Sequence, residues 1–156
     1  MSFSYQQSVG KYNKTAIAGD RANNQVAIYT PTNFTAAAAV NVGGFVWRDT
    51  TNTGTQVKAS TSGSGAPLGF VERVQNYDNY SITTEGTLQV PAGSAVEIAV
   101  KGDFYVVADG SVSVGDTVYA VPATGAVSFT STDNIDSGWK AFSAGSSGDL
   151  VIITNR

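Results

Sequence analysis

Apolar and polar side chains alternate from Ala95 to Lys101. Val96, Ile98 and Val100 form one set; Glu97, Ala99 and Lys101 form the other. A period of two places alternate side chains on opposite faces, the mark of a half-buried β-strand. Gly102-Asp103 interrupts the alternation. Phe104–Val107 resumes it with aromatic and β-branched residues that suit a pleated surface. Asp109-Gly110 then turns the chain, because glycine accepts positive φ without steric cost. Val112, Val114 and Gly115-Asp116 lead into a further strand at Thr117–Val121. This strand–turn–strand stretch, Ser94–Val121, is expected at the centre of the fold.

Elsewhere the same pattern recurs in shorter pieces. Strands are expected at Gln25–Tyr29, Phe45–Trp47, Gln56–Ala59, Leu68–Val74 and Ala126–Thr130. Ser81–Thr84 and Thr87–Val90 flank Glu85-Gly86 as a hairpin-like pair, and Trp139–Ser143 with Leu150–Thr154 form a last hairpin. Ala36–Val42 is ambiguous: four alanines favour helix, but the run is too short to hold one alone. It reads as strand or irregular. Thr15–Ala18 is a short apolar piece ending at the Gly19-Asp20 turn, and Ser60–Gly65 and Ser131–Gly138 read as polar loops. Roughly ten or eleven short strands between Gly, Pro, Asn and Asp turns predict an all-β sandwich or barrel. A single domain over residues 15–156 is expected, preceded by an extended arm over residues 1–14.

Composition narrows the chemistry. A chain of 156 residues is long enough for one domain with a real core. It contains no Cys and no His, which removes disulfides, thiolate chemistry, the usual base near neutral pH and the commonest metal ligand. A Ser/His/Asp triad is impossible. The net charge is −3, with Lys and Arg dispersed, so no clustered basic face for nucleic acid is expected. No apolar run approaches the ~20 residues of a membrane span, and the first residues do not read as a secretory signal. Synthesis in a cytoplasm without export by the usual route is expected. No cofactor and no metal are expected. Asp133–Gly138 lacks the alternating ligands of a calcium loop, and the glycines at 63–65 and 145–148 lack the ending of a phosphate cradle. Of the carboxylates, Glu72, Glu85 and Glu97 are the only glutamates, and most Asp sit beside Gly or Asn as turn residues.

The aromatic residues carry what binding signal there is. Phe3, Tyr5 and Tyr12 punctuate the polar arm, which is read as docking on this chain or on a neighbour. Trp47, Trp139, Tyr77, Tyr80, Tyr105 and Tyr119 are candidates for a flat sugar-binding platform. The competing reading makes Phe45, Trp47, Phe70, Phe104 and Trp139 the core, where aromatics bury the most area, and it is preferred.

Several stretches fall in a familiar order: Ala16–Ala22, then Gly43-Gly44-Phe45-Val46, then Leu68–Arg73. The aromatic strand Phe104–Val107 follows, then Ala108-Asp109-Gly110, Val114-Gly115-Asp116 with Val118-Tyr119, Thr124-Gly125 and Gly148–Val151. In this order and spacing the chain resembles the capsid cement (head decoration) proteins of tailed bacteriophages. The resemblance implies a non-enzymatic structural protein with a jelly-roll-like β-sandwich. It implies binding to the outer face of an icosahedral head made of a separate major capsid protein, bridging capsomers as a homodimer or homotrimer. On that reading Phe3, Tyr5, Tyr12, Phe45 and Trp47, with the Ser60–Gly65 loop, are the expected capsid or oligomer contacts. The alternative is a carbohydrate-binding β-sandwich of a virion tail or spike, and a carboxylate hydrolase is the least favoured.

Overall fold

A computed structural model describes residues 16–51, 54–74 and 88–156, together with the backbone of Ser81 and Ile82. The expected arm at residues 1–14, with Phe3, Tyr5 and Tyr12, lies outside the described residues, as do Tyr77, Tyr80 and Glu85. Among the described residues every regular element is a strand. In chain order these are β1 (Ile28–Tyr29), β2 (Phe34–Ala36), β3 (Val40–Asn41), β4 (Phe45–Asp49), β5 (Gln56–Lys58), β6 (Gly69–Val71) and β7 (Ser81–Ile82). Then come β8 (Leu88–Val90), β9 (Ala95–Val96), β10 (Ile98–Val107), β11 (Thr117–Ala120), β12 (Val127–Ser128), β13 (Ile135–Ala141) and β14 (Leu150–Asn155).

The fold is all-β, as expected. One large sheet runs β12-β11-β13-β14-β10-β6-β4-β5-β2-β9, with β1 attached to β10, and a small one runs β3-β8-β7. Among the described residues the order is open: β12 and β9 stand at its ends and are not joined, so the sheet does not close into a barrel there. Pairing is antiparallel except between β2 and β5. The hairpin-like pair is present as β7 against β8, and the last hairpin as β13 against β14.

β10 is the hub. Its first half pairs with β6 and β1, and its second half with β14. Gly102-Asp103 does not end the strand. Gly102 takes φ +146°, and a Cβ there would sit 2.8 Å from the Phe104 ring, so only glycine lets the strand bend past it. The strand after Asp109-Gly110 is not β10's partner: β11 pairs with β12 and β13 instead. The Ser131–Gly138 stretch is only partly loop, because β13 already begins at Ile135. Its polar run masks a strand in which Ser137 points inward and satisfies its hydroxyl on the Val118 carbonyl at 2.6 Å. A paired buried hydroxyl costs little, so the strand tolerates it.

Two hydrophobic cores lie against this sheet. One gathers Phe45, Trp47, Phe70, Phe104 and Trp139 with Val106, Val118, Val151 and Ile153. The other gathers Phe34, Val40, Val46, Val57, Val71, Val90, Val96 and Ile98. Neighbouring residues of the same strand serve opposite cores: Phe45 and Val46, Phe70 and Val71, Ala99 and Ile98. Strands buried on both faces lose the polar alternation, which is why Phe45-Val46-Trp47 and Gly69-Phe70-Val71 read as unbroken apolar runs.

Candidate functional site

The structure removes two of the expected contact residues from the surface. Phe45 is 1% exposed and Trp47 6% exposed. The Phe45 ring meets Phe70 edge-on at 5.6 Å and Trp139 at 6.2 Å, distances typical of stable aromatic pairs. The Trp47 indole N–H donates to the Gly65 carbonyl at 2.9 Å, tying the Ser60–Gly65 loop to the core. Trp139 is 2% exposed and packs on Phe45, Phe70 and Phe104. The core reading of these aromatics therefore holds, and neither tryptophan offers a platform for a sugar.

Besides Ile17, Val26 and Ile28, the exposed large apolar residues among those described gather near the outer face of β10, β13 and β14. Register pairs Val107 with Leu150 and Tyr105 with Ile152. Their chain neighbours Phe104, Val106, Val151 and Ile153 are fully buried, so alternation turns Tyr105, Val107, Leu150 and Ile152 outward. Phe142 joins them: its N–H donates to the Ile152 carbonyl at 2.7 Å, while Ala141 before it points inward. Val107, Leu150 and Phe142 are 49%, 39% and 61% exposed, and Val114, beside Gly115 which bonds to the Ala141 carbonyl, is 68% exposed. Single exposed apolar residues are ordinary, but a contiguous group on one sheet face is a candidate interaction surface. Sequence reasoning missed it because only strand register brings residues 105, 142 and 150 together.

The same face turns polar at its other end. Asp103, 7% exposed, pairs in register with Thr154, whose hydroxyl donates to it at 2.6 Å. Arg156 donates from Nε at 2.9 Å and from its terminal nitrogen, and Asn23 donates as well. The Arg156 hydrogen bond, helped by those of Thr154 and Asn23, holds the carboxyl below the usual aspartate value against the effect of burial.

A second polar cluster lines a groove of about 360 Å³ formed by Arg21, Tyr29, Glu72, Val74 and Glu97. Glu72 accepts from Arg21 at 2.9 Å and from the Tyr29 hydroxyl, and Arg21 also donates to Tyr29. Burial, reinforced by the hydrogen bond to Glu72, pushes the Tyr29 phenol up to about 12. Glu72 is thus engaged by neighbours on both oxygens. Among the described residues no group of His, Cys, Asp and Glu is arranged to hold a metal ion.

A family model described as structural cement protein (E217 gp24/Pam3 gp6), of phages, matches residues 5–155. A search of curated protein sequences gives no match. Among solved structures, one from the capsid of Myoviridae phage XM1 superposes with a TM-score of 0.63 at 14% identity, covering 97% of each chain. The head fiber gp8.5 N base of bacteriophage phi29 superposes with a TM-score of 0.52 at 13% identity, covering 83% of this chain and 95% of that one. At such identities these likenesses concern the fold.

Proposed function

This chain belongs to the phage structural cement protein family, and from that membership we propose that it coats the outer surface of an icosahedral head. Its role is structural and capsid-associated. There it binds the major capsid protein of the same phage, bridges neighbouring capsomers and self-associates as a dimer or trimer. It is made in the bacterial host cytoplasm and carries no catalytic duty. The observation that carries this reading is the family match over residues 5–155.

The chemistry agrees. A shell presents one binding site many times, so modest contacts sum into tight retention. Such a role needs area and shape rather than a reactive group. The sugar-binding alternative loses its tryptophans to the core, and the hydrolase reading loses Glu72 to Arg21 and Tyr29.

The test is stoichiometry. Virions purified from cells expressing the chain in its phage context are digested, and its copy number is measured by quantitative mass spectrometry against the most abundant shell protein. One to one, or a simple fraction, is expected. A few copies per particle would place it on a tail or vertex, and absence from virions would overturn the reading.

A further inference from the structure

We propose that residues 17–25 form a strap that charged side chains hold closed across β10, and that it opens as one unit while both cores stay folded. Its backbone bonds reach distant parts of the chain. The Gly19 N–H donates to the Tyr105 carbonyl at 2.8 Å, and the Arg73 N–H donates to the Gly19 carbonyl at 2.9 Å. The Tyr105 N–H donates to the Asp20 carbonyl, and the Ala22 N–H to the Asp103 carbonyl, each at 2.9 Å. Arg21 bridges Phe104 antiparallel.

Apolar packing contributes little to this closure. Between residues 17 and 25 only Gly19 is buried; Ile17, Arg21 and residues 23–25 are exposed. Side-chain bonds fasten the strap at both ends instead. At one end Arg73 Nη1 donates to Asp20 and Arg21 donates to Glu72, each at 2.9 Å. At the other, Asn23 donates to Asp103, and Arg156 donates to Gln25 as well as to Asp103. The fit at the first end is incomplete: the buried Arg73 Nε finds no partner among the described residues. A segment with hardly any buried apolar surface, held by bonds that water can replace, belongs to the low-stability end of a structure. Opening frees the Tyr105 N–H and the Asp103 and Tyr105 carbonyls, a strand edge that the closed fold conceals. The inference does not depend on the cement reading.

Native-state hydrogen exchange of the full-length chain, followed by NMR at increasing urea below the unfolding transition, tests this. The Gly19, Ala22, Arg73 and Tyr105 amides are expected to exchange with one shared opening constant. Its urea dependence should be slight, because little surface is exposed. The Phe45 and Leu68 amides donate to the Gly125 and Val46 carbonyls, away from the strap. They are expected to be at least about tenfold better protected, with a steep urea dependence. Arg156→Gln, which alters only the Asp103 end, is expected to lower protection about tenfold at Gly19 and Arg73 as well as at Ala22. Glu72→Gln, at the opposite end, is expected to do the same. Strap amides that follow Phe45 and Leu68 in both rate and urea slope would overturn the strap as a separate unit. Unrelated rates among the four, or a response to Arg156→Gln confined to Ala22, would overturn its opening as one. Unchanged protection in both variants would overturn the role given to the charges.

Discussion

Around Trp139 the interior is aromatic, and around Val57 it is aliphatic. The first core takes its rings from four strands far apart in the chain: Phe45 on β4, Phe70 on β6, Phe104 on β10 and Trp139 on β13. Phe70 and Trp139 each meet the other three rings, with centroids 5.1–6.2 Å apart. The second core is mostly valine, contributed by strands of two to five residues and by one end of β10. Few large rings bind a long-range arrangement, whereas many small β-branched groups spread the same task over short strands that have little stability alone. Both cores share β4, β6 and β10, so the two regions are expected to unfold together.

The largest effect should come from the ring cluster. Trp139→Ala is expected to cost about 3–5 kcal/mol, a large part of a typical domain's 5–15 kcal/mol. Urea denaturation measures it; a cost under about 1 kcal/mol would break the contrast between the cores. Next is the turn that abuts Phe45. Gly125 takes φ +69°, and an added Cβ would lie 2.1 Å from the Phe45 carbonyl oxygen, so Gly125→Ala should cost at least the ~1–3 kcal/mol of an overpacked core. Gly148 has φ +87° but open space around it, so Gly148→Ala should cost only about 1–2 kcal/mol of backbone strain. Equal losses would show that the contact with Phe45 does not matter.

The Asp103 clamp should be intermediate. Asp103→Ala leaves the donors of Arg156, Thr154 and Asn23 without their acceptor and is expected to cost about 1–3 kcal/mol, discounted because Arg156 is 44% exposed. Its pH dependence has a definite sign. The folded value lies below the unfolded one of about 3.9, so the stabilisation is present above the unfolded value and is lost as pH falls through the folded one. The variant should therefore show a smaller acid-induced loss of stability than the parent; an identical acid profile would remove the clamp from the account. The smallest core effect belongs to the aliphatic side, where Ile98→Val should cost about 0.5–1.5 kcal/mol. If it costs as much as Trp139→Ala, the two cores do not differ as described.

Much of the fold was legible from local pattern. The β10 alternation, the β7–β8 pair and the last hairpin all follow from period two and turn residues. The pairings were not, because β10 selects β6 and β14 through contacts separated by dozens of residues. Ile135–Gly138 hid its strand behind Asp136, Ser137 and Gly138: the Gly138 N–H bonds locally to Asp136, while the Ser137 hydroxyl donates across the sheet, to the Val118 carbonyl. The candidate contact residues were not legible in position: Phe45 and Trp47 stand out in the sequence because they are large, and both are buried in the core. Val107, Phe142 and Leu150 are unremarkable in sequence and become a surface only through register.

The proposed role of this chain is to fasten an assembled shell. The direct measurement is a sedimentation titration of the purified chain against shells that lack it and, in parallel, against unassembled major capsid protein. Saturable binding to the shells at a fixed simple ratio, with weak or no binding to free subunits, is the result expected. Failure to bind assembled shells, or equal binding to free subunits, would contradict it.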